Sequence, residues 1–336
     1  MSKRVSLKDI AEKVGVSIAL VSYVMNGQEK EKRVGADVVE RIREVARELN
    51  YKPNQIAQSL RTGSTKTIGL IVADISNPYF GNMARVIEDE ALKHGYTVIF
   101  GSADENLKKS ASLVDTLINR QVDGFIIAPA EGTESQIKAI QEKKTPLVLI
   151  DRYFPEVPTN YVVLNNFDAS YDAISHLIEK GYRKIGMIAY QSTLIHMQER
   201  IRGYVEAMKK YEPESEICIE EVSYDNVNTD TSKAIDKLTT GEKKVDALFF
   251  ATNALTISGL YCIQKLKLKV PDELAIIGFD GNAAFDFFSS PITFIEQPIE
   301  EMGREAVRVL VEQINGANET AQINLRHTLI KRRSSL

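Results

Sequence analysis

The 336-residue chain has two cysteines and four histidines, and neither set has the spacing of a metal site. Cys218 and Cys262 each lie inside an apolar stretch, which reads as core and suits a reducing compartment. His94, His176, His196 and His327 are scattered. There is no G-x-S-x-G, no Gly-Lys phosphate loop and no G-x-G-x-x-G, and "TGSTKT" near residue 65 reads as linker. An enzyme is therefore not expected, nor is a cofactor or metal. No apolar run approaches the roughly 18 residues of a membrane span. The opening "MSKRVSLKDIAEKVG" is basic but lacks the apolar core of a secretory signal, so a cytoplasmic protein is expected.

A more local lack is in "VSIALVSYVMNG", residues 16–27, which holds no Lys, Arg, Asp or Glu in a chain that is 26% charged. Its surroundings are basic: residues 1–61 carry 12 Lys plus Arg against 8 Asp plus Glu, a net of plus 4, which leaves minus 8 for the rest. A basic head on an acidic body suits a partner that is a polyanion.

Ser6, with Asp9 three residues on, has the form of a capping box and starts a first helix marked by Leu7, Ile10, Ala11 and Val14. Gly15 ends it and Ser17 can cap a second, so two helices follow each other across a very short turn, a helix-turn-helix pattern. A third helix is expected from about Ala36 to Leu49, with Val38, Ile42, Val45, Ala46 and Leu49 on its inner stripe. At 100° per residue Leu20, Val21, Val24 and Met25 gather on one side of the second helix, and Ile18, Ala19, Ser22 and Tyr23 on the other.

Beyond "YKPNQIAQSLRTGSTKT" the pattern changes to apolar strands alternating with amphipathic helices, the signature of parallel sheets covered on both faces, so the body is α/β. "KTIGLIVAD" at 66–74 resembles "RKIGMIAYQ" at 183–191, which suggests two similar lobes. The expected division is a head over 1–53, a hinge and linker over 54–66, and a body over 67–336. Within the body the first lobe is expected over 67–160 plus 293–320 and the second over 161–292 plus 321–336. A cleft at the carboxyl ends of such strands is where small ligands bind.

The segments "SLKDIAEKVGVS", "VSYVMNG", "ELNYKPNQIAQSLRT", "TIGLIVADISNPYF", "HLIEKGYRKIGMI", "ERIRGY", "VPDELAIIGFD" and "IEQP" together resemble the lactose-repressor and galactose-repressor family of bacterial transcription regulators. The resemblance covers nearly the whole chain. It implies a helix-turn-helix head, a hinge helix and a two-lobed body like that of periplasmic sugar-binding proteins. It also implies a homodimeric repressor switched by a small-molecule effector, in the first place a sugar or sugar derivative. The alternatives are a protein coregulator acting on the same DNA head and a solute-binding protein of a transporter.

In that frame Ser17, Ile18, Ala19, Ser22 and Tyr23 face the major groove. Many relatives place Arg where this chain has Tyr23, so an arginine-to-guanine contact is lost, and methyl contacts plus hydroxyl bonds point to an operator core rich in A and T. Ser6, Asn26, Lys32, Arg33, Tyr51, Lys52 and Asn54 are candidates for phosphate contact. The resemblance makes "NQIAQSL", 54–60, a minor-groove hinge that includes Ala57, with Leu60 as the wedge and Gln58 where relatives often have Arg.

For the cleft, Asn77, Asp151, Asn253 and Asp280 follow predicted strands, and Arg200 opens the helix after "KIGMIAY". Carboxylates, an arginine fork and amides are what polyol recognition needs, and Tyr79 and Phe80 could stack on a sugar ring. Asp and Asn at strand ends also cap helices, and the two aromatics fit a core equally well. Gln297 is added by the resemblance. Arg152, Tyr224 and His196 complete the candidates, and "YQSTLIHMQ", 190–198, departs from the relatives' pattern.

Overall fold

A computed structural model describes residues 5–52, 63–241 and 244–336. The chain divides into two units, 1–65 and 66–336.

Among the described residues the first unit holds three helices, α1 (Leu7–Val14), α2 (Ile18–Met25) and α3 (Ala36–Glu48). The capping box forms: Ser6 Oγ accepts from Asp9 N at 3.3 Å and the Asp9 carboxylate accepts from Ser6 N at 2.7 Å. Gly15 stops α1 at φ 77°, a left-handed turn that glycine adopts without steric cost. Ile10, Val21, Val24, Ile42 and Ala46 are buried together. In α3 the buried valine is Val39; Val38, Val45 and Leu49 are half-buried beside it, because one helix packed across two others buries a narrower stripe than periodicity alone suggests.

The second unit is built on two six-stranded sheets. The first comprises β1 (Thr67–Val72), β2 (Thr97–Ser102), β3 (Gly124–Ile127), β4 (Leu147–Ile150), β5 (Asn160–Leu164) and β11 (Gln322–Leu325), in the order β11-β5-β4-β3-β1-β2. The second comprises β6 (Ile185–Tyr190), β7 (Cys218–Val222), β8 (Ala247–Phe250), β9 (Ala275–Phe279), β10 (Thr293–Glu296) and β12 (Thr328–Ile330), in the order β12-β10-β9-β8-β6-β7. The orders match strand for strand, so β1 and β6, the two segments that look alike in sequence, hold equivalent places. Ladders are parallel except β10 with β12. β3, β4, β8 and β9 are buried at every residue, as expected of strands covered on both faces.

The lobe boundaries differ from the sequence expectation at three places. β5 pairs with β4 in the first sheet, Val148 opposite Asn160, and so belongs to the first lobe through residue 164. β10 pairs with β9 in the second sheet, Thr293 opposite Ile277. The helix Ile299–Ile314 does pack on the first lobe, burying Met302, Ala306, Val307 and Leu310, but β11 after it stays there beside β5. Interior strands are apolar on both faces in either sheet, so their composition does not say which sheet they join. Cys218 and Cys262, read as core, are half-buried at the edge of the second lobe's core.

Candidate functional site

In the head, α2 presents Ile18, 49% exposed, with Ala19 also exposed and Ser22 and Tyr23 half-buried. Val21 and Val24 are buried on the opposite side, and Leu20 and Met25 pack beside them. Ser17 Oγ accepts from Leu20 N at 3.2 Å, which caps the helix and leaves the hydroxyl proton to donate. Ser22 accepts from Asn26 Nδ2, at 2.6 Å on its carbonyl and 3.1 Å on its hydroxyl, so the Asn26 amide is spent on the helix end. Ser6 is committed to its capping box, its hydroxyl donating to Asp9 Oδ2 at 2.6 Å. Tyr51 packs on the head core, and Lys52 and Arg33 are exposed. Asn54, Ala57 and Leu60, with Gln58, lie outside the described residues.

The segment 28–33 folds into turns, Lys32 N donating to Gln28 O at 2.9 Å and Val34 N to Glu29 O at 2.8 Å. Glu29 pairs with Arg43 of α3 at 2.7 Å. This brings the Lys32 ammonium over the Tyr23 ring, 5.7 Å from its centroid. Helix α2 carries no charge, and a neighbouring turn sets one beside it.

In the body, Asp151 follows β4 and Asp280 follows β9, the equivalent strand ends of the two lobes. Both take left-handed backbone, at φ 70° and 59°, which Asp tolerates better than most residues. Asp280 Oδ1 accepts from Gln297 Nε2 at 2.8 Å, and its carbonyl accepts from Asn253 Nδ2 at 3.0 Å. The Tyr79 hydroxyl donates to Gln297 Oε1 at 3.4 Å. Arg200 sits in the second turn of the helix Ile195–Tyr211 rather than at its opening; the helix begins earlier, and the arginine points inward from its buried side. Its Nε donates to Asn166 Oδ1 at 2.8 Å, its Nη1 to Ala251 O at 2.6 Å, and the guanidinium lies 3.6 Å from the centroid of Phe279. Arg152 is gripped by Glu105 through two contacts of 2.8 Å and by Asp151 at 3.2 Å.

Burial raises the Asp280 carboxyl to about 6 against the pull of Arg200 and Gln297, with Asp151 adding to the rise. Burial lowers the Arg200 guanidinium, while Asp280 and Asp151 work to keep it charged. His196 is held well below the usual imidazole range by burial and by Arg152 and Arg200, so it is neutral. The Tyr79 hydroxyl is held protonated by burial, Asp151 and Asp280.

A cavity of about 380 Å³ in the body has Asn77, Phe80, Arg152, His196 and Tyr224 in its lining, whereas Tyr79, Asp151, Arg200, Asn253, Asp280 and Gln297 are buried and are not part of that lining. Asn77 also caps the helix Pro78–Lys93, accepting from Tyr79 N at 3.1 Å, and Tyr79 and Phe80 are buried in the first lobe's core, with Phe80 reaching the cavity wall. The lobes touch across the mouth: Tyr224 donates to Asp74 Oδ2 at 2.7 Å, and Thr193 N and its hydroxyl both donate to Glu131 Oε1, the former at 3.2 Å.

The chain is matched by two family models, one described as bacterial regulatory proteins of the lacI family over residues 6–54, the other as a periplasmic binding protein-like domain over residues 174–335. It is 32% identical to the HTH-type transcriptional repressor PurR of Aliivibrio salmonicida, over 98% of each chain. The chain belongs to the LacI family. It is a DNA-binding transcriptional repressor and not an enzyme. A LacI-family regulator from Enterococcus faecium with bound ribose is similar at 25% identity and TM-score 0.71, over 80% of this chain and 98% of that one. The lac repressor dimer bound to operator and an anti-inducer has the same fold at TM-score 0.87 and 21% identity, over 99% of this chain and all of that one.

For this LacI-family repressor, sequence reasoning missed the residues that hold the cleft in shape. Asn166 and Ala251 fix Arg200, Glu105 fixes Arg152, and Asp74 and Glu131 bridge the lobes. Asp74, at the end of "TIGLIVAD", occupies the same kind of position that drew attention to Asp151 and Asp280, and could have been found that way. Glu131, reached from Ser192 and Thr193 across 61 or 62 residues, has no local signal.

Proposed function

We propose that this repressor binds its operator as a homodimer through α2 in the major groove, and that a hydroxyl-rich small molecule, a sugar or sugar derivative, binds between the lobes and shifts DNA affinity. The observation that carries the effector reading is the pair Asp151 and Asp280, one from each lobe on equivalent strand ends, both acting on the buried Arg200 guanidinium by charge. A ligand bridging the two carboxylates stabilises one lobe angle over another, and a differential affinity of that kind is what moves a two-state regulator. The cavity and the buried amides of Asn253 and Gln297 suit hydroxyl groups, and the ribose-bound relative supports the same ligand class.

Homodimer formation is supported by apolar surface on the second lobe, where Phe287 is 87% and Tyr261 72% exposed beside Leu260 and Leu268. In the head, the exposed Ile18 and Ala19 and the available hydroxyls of Ser17 and Ser22 favour thymine methyls and a half-site core rich in A and T. The family resemblance assigns Leu60 as the minor-groove wedge. The test is a thermal-shift screen over sugars, amino sugars, sugar phosphates and nucleobases, each hit then measured for its effect on operator binding. A sugar that both stabilises the protein and changes operator affinity supports the reading; response to nucleobases alone, or to a protein partner alone, overturns it.

A further inference from the structure

The cleft holds more carboxylates than its own cations neutralise. Asp74, Glu131 and Asp225 line the cavity, and among the described residues none of the three has an ion pair within 4.0 Å to Lys or Arg. Glu105 is committed to Arg152, and Asp104 to Lys109. Arg152, the guanidinium in the lining, is already held by two acidic residues. An anion entering this space meets uncompensated negative charge and no uncommitted cation.

His196 is the second observation. It is 7% exposed and lines the cavity, and its Nδ1 is buried without a hydrogen-bond partner. Such an atom costs free energy until something satisfies it. A ligand hydroxyl can donate to that nitrogen or accept from it in either tautomer, whereas a phosphate or carboxylate oxygen can only accept.

We infer that the cleft selects its ligand by charge: it takes an unphosphorylated sugar or an amino sugar, rejects the phosphorylated or carboxylated counterpart, and completes the hydrogen bonding of His196 with a ligand hydroxyl. This rests on the carbohydrate reading above and adds the sign of charge to it.

The test is calorimetric titration of the full chain with matched probes: glucose, glucosamine and glucose 6-phosphate; galactose, galactosamine and galactose 6-phosphate; ribose and ribose 5-phosphate. In the series that binds, the phosphorylated member is expected to bind about tenfold or more weakly than its parent, since each uncompensated carboxylate adds repulsion in a partly buried site. That gap should narrow in Asp225→Asn and in about 0.5 M salt, where exposed charges are screened. His196→Phe should weaken the parent sugar about tenfold, and His196→Gln, which keeps a donor and an acceptor, should recover part of that loss. A phosphorylated member that binds as tightly as its parent, or a gap indifferent to both Asp225→Asn and salt, overturns the charge selection and leaves the carbohydrate reading intact. If no member of any series binds, the carbohydrate reading fails and this inference falls with it.

Discussion

The proposed DNA-reading helix and the proposed effector cleft are built in opposite ways. Ile18, Ala19 and Tyr23 stand on one face of α2 with few ties to one another, and the helix beneath them is held by a cap and an apolar stripe. Asp280, Gln297, Asn253, Arg200 and Asn166 are buried and joined by hydrogen bonds or by charge. Substitutions on the reading face should therefore act independently, and those on the cleft floor should couple, because each leaves a neighbour's polar atom buried and unmatched.

The largest effect that separates the two regions is expected from Arg200→Ala. It strands Asn166 Oδ1 and the Ala251 carbonyl and removes the cation that offsets Asp280 and Asp151, so stability should fall by about 3 to 5 kcal/mol, read by denaturant unfolding. Arg200→Lys should restore little, since one ammonium cannot replace the fork that reaches both partners. Recovery of full stability by Arg200→Lys would break the picture of an interlocked floor.

Next is Asp280→Asn. The folded protein holds the Asp280 proton more tightly than the unfolded chain, whose carboxyl titrates near the ordinary value, so the charge costs stability as pH rises from about 4 through about 6. The asparagine variant is expected to be more stable than the parent by on the order of 2 to 3 kcal/mol at pH 7.5, with the difference shrinking at pH 5. Melting curves across that range check it. Effector binding should weaken in the same variant, and in the parent it should weaken about tenfold per pH unit below 6.

On the head, Tyr23→Arg should add guanine preference at a single operator position, worth about 1 to 3 kcal/mol of discrimination, with the remaining positions unchanged in selection from random duplexes. Scrambling of the whole half-site would show that the reading face is coupled after all. The smallest expected change is Ser6→Ala, which removes the capping box at a cost of about 1 kcal/mol and leaves effector affinity as it was. Melting of the isolated head gives that number, and effector titration of the full chain supplies the control.

The head was legible because its determinants are local. Ser6 with Asp9, Gly15 and Ser17 lie within a turn or two of the groups they satisfy, and a 3.6-residue period is enough to sort Val21 and Val24 from Ile18 and Ala19. The period misplaced Val39, where the narrow contact of α3 decides burial. The candidate effector residues could be named from strand ends, but not the state in which the fold holds them. Asn77 serves as a helix cap while facing the cavity, and Tyr79 belongs chiefly to the core.

What the sequence by itself determined is the class of every layer: helices in the head, doubly covered parallel strands in the body, a repeat of one lobe in the other, and a second helix without charge. Only the tertiary structure decided which sheet β5, β10 and β11 join, because buried strands carry the same apolar composition in either one. It alone set Lys32 over Tyr23, placed Glu131 against Thr193, and left the His196 nitrogen unmatched in a cavity lined also by Asp74, Glu131 and Asp225. Those contacts depend on how turns and separate strands are folded against one another, and side-chain periodicity does not encode them.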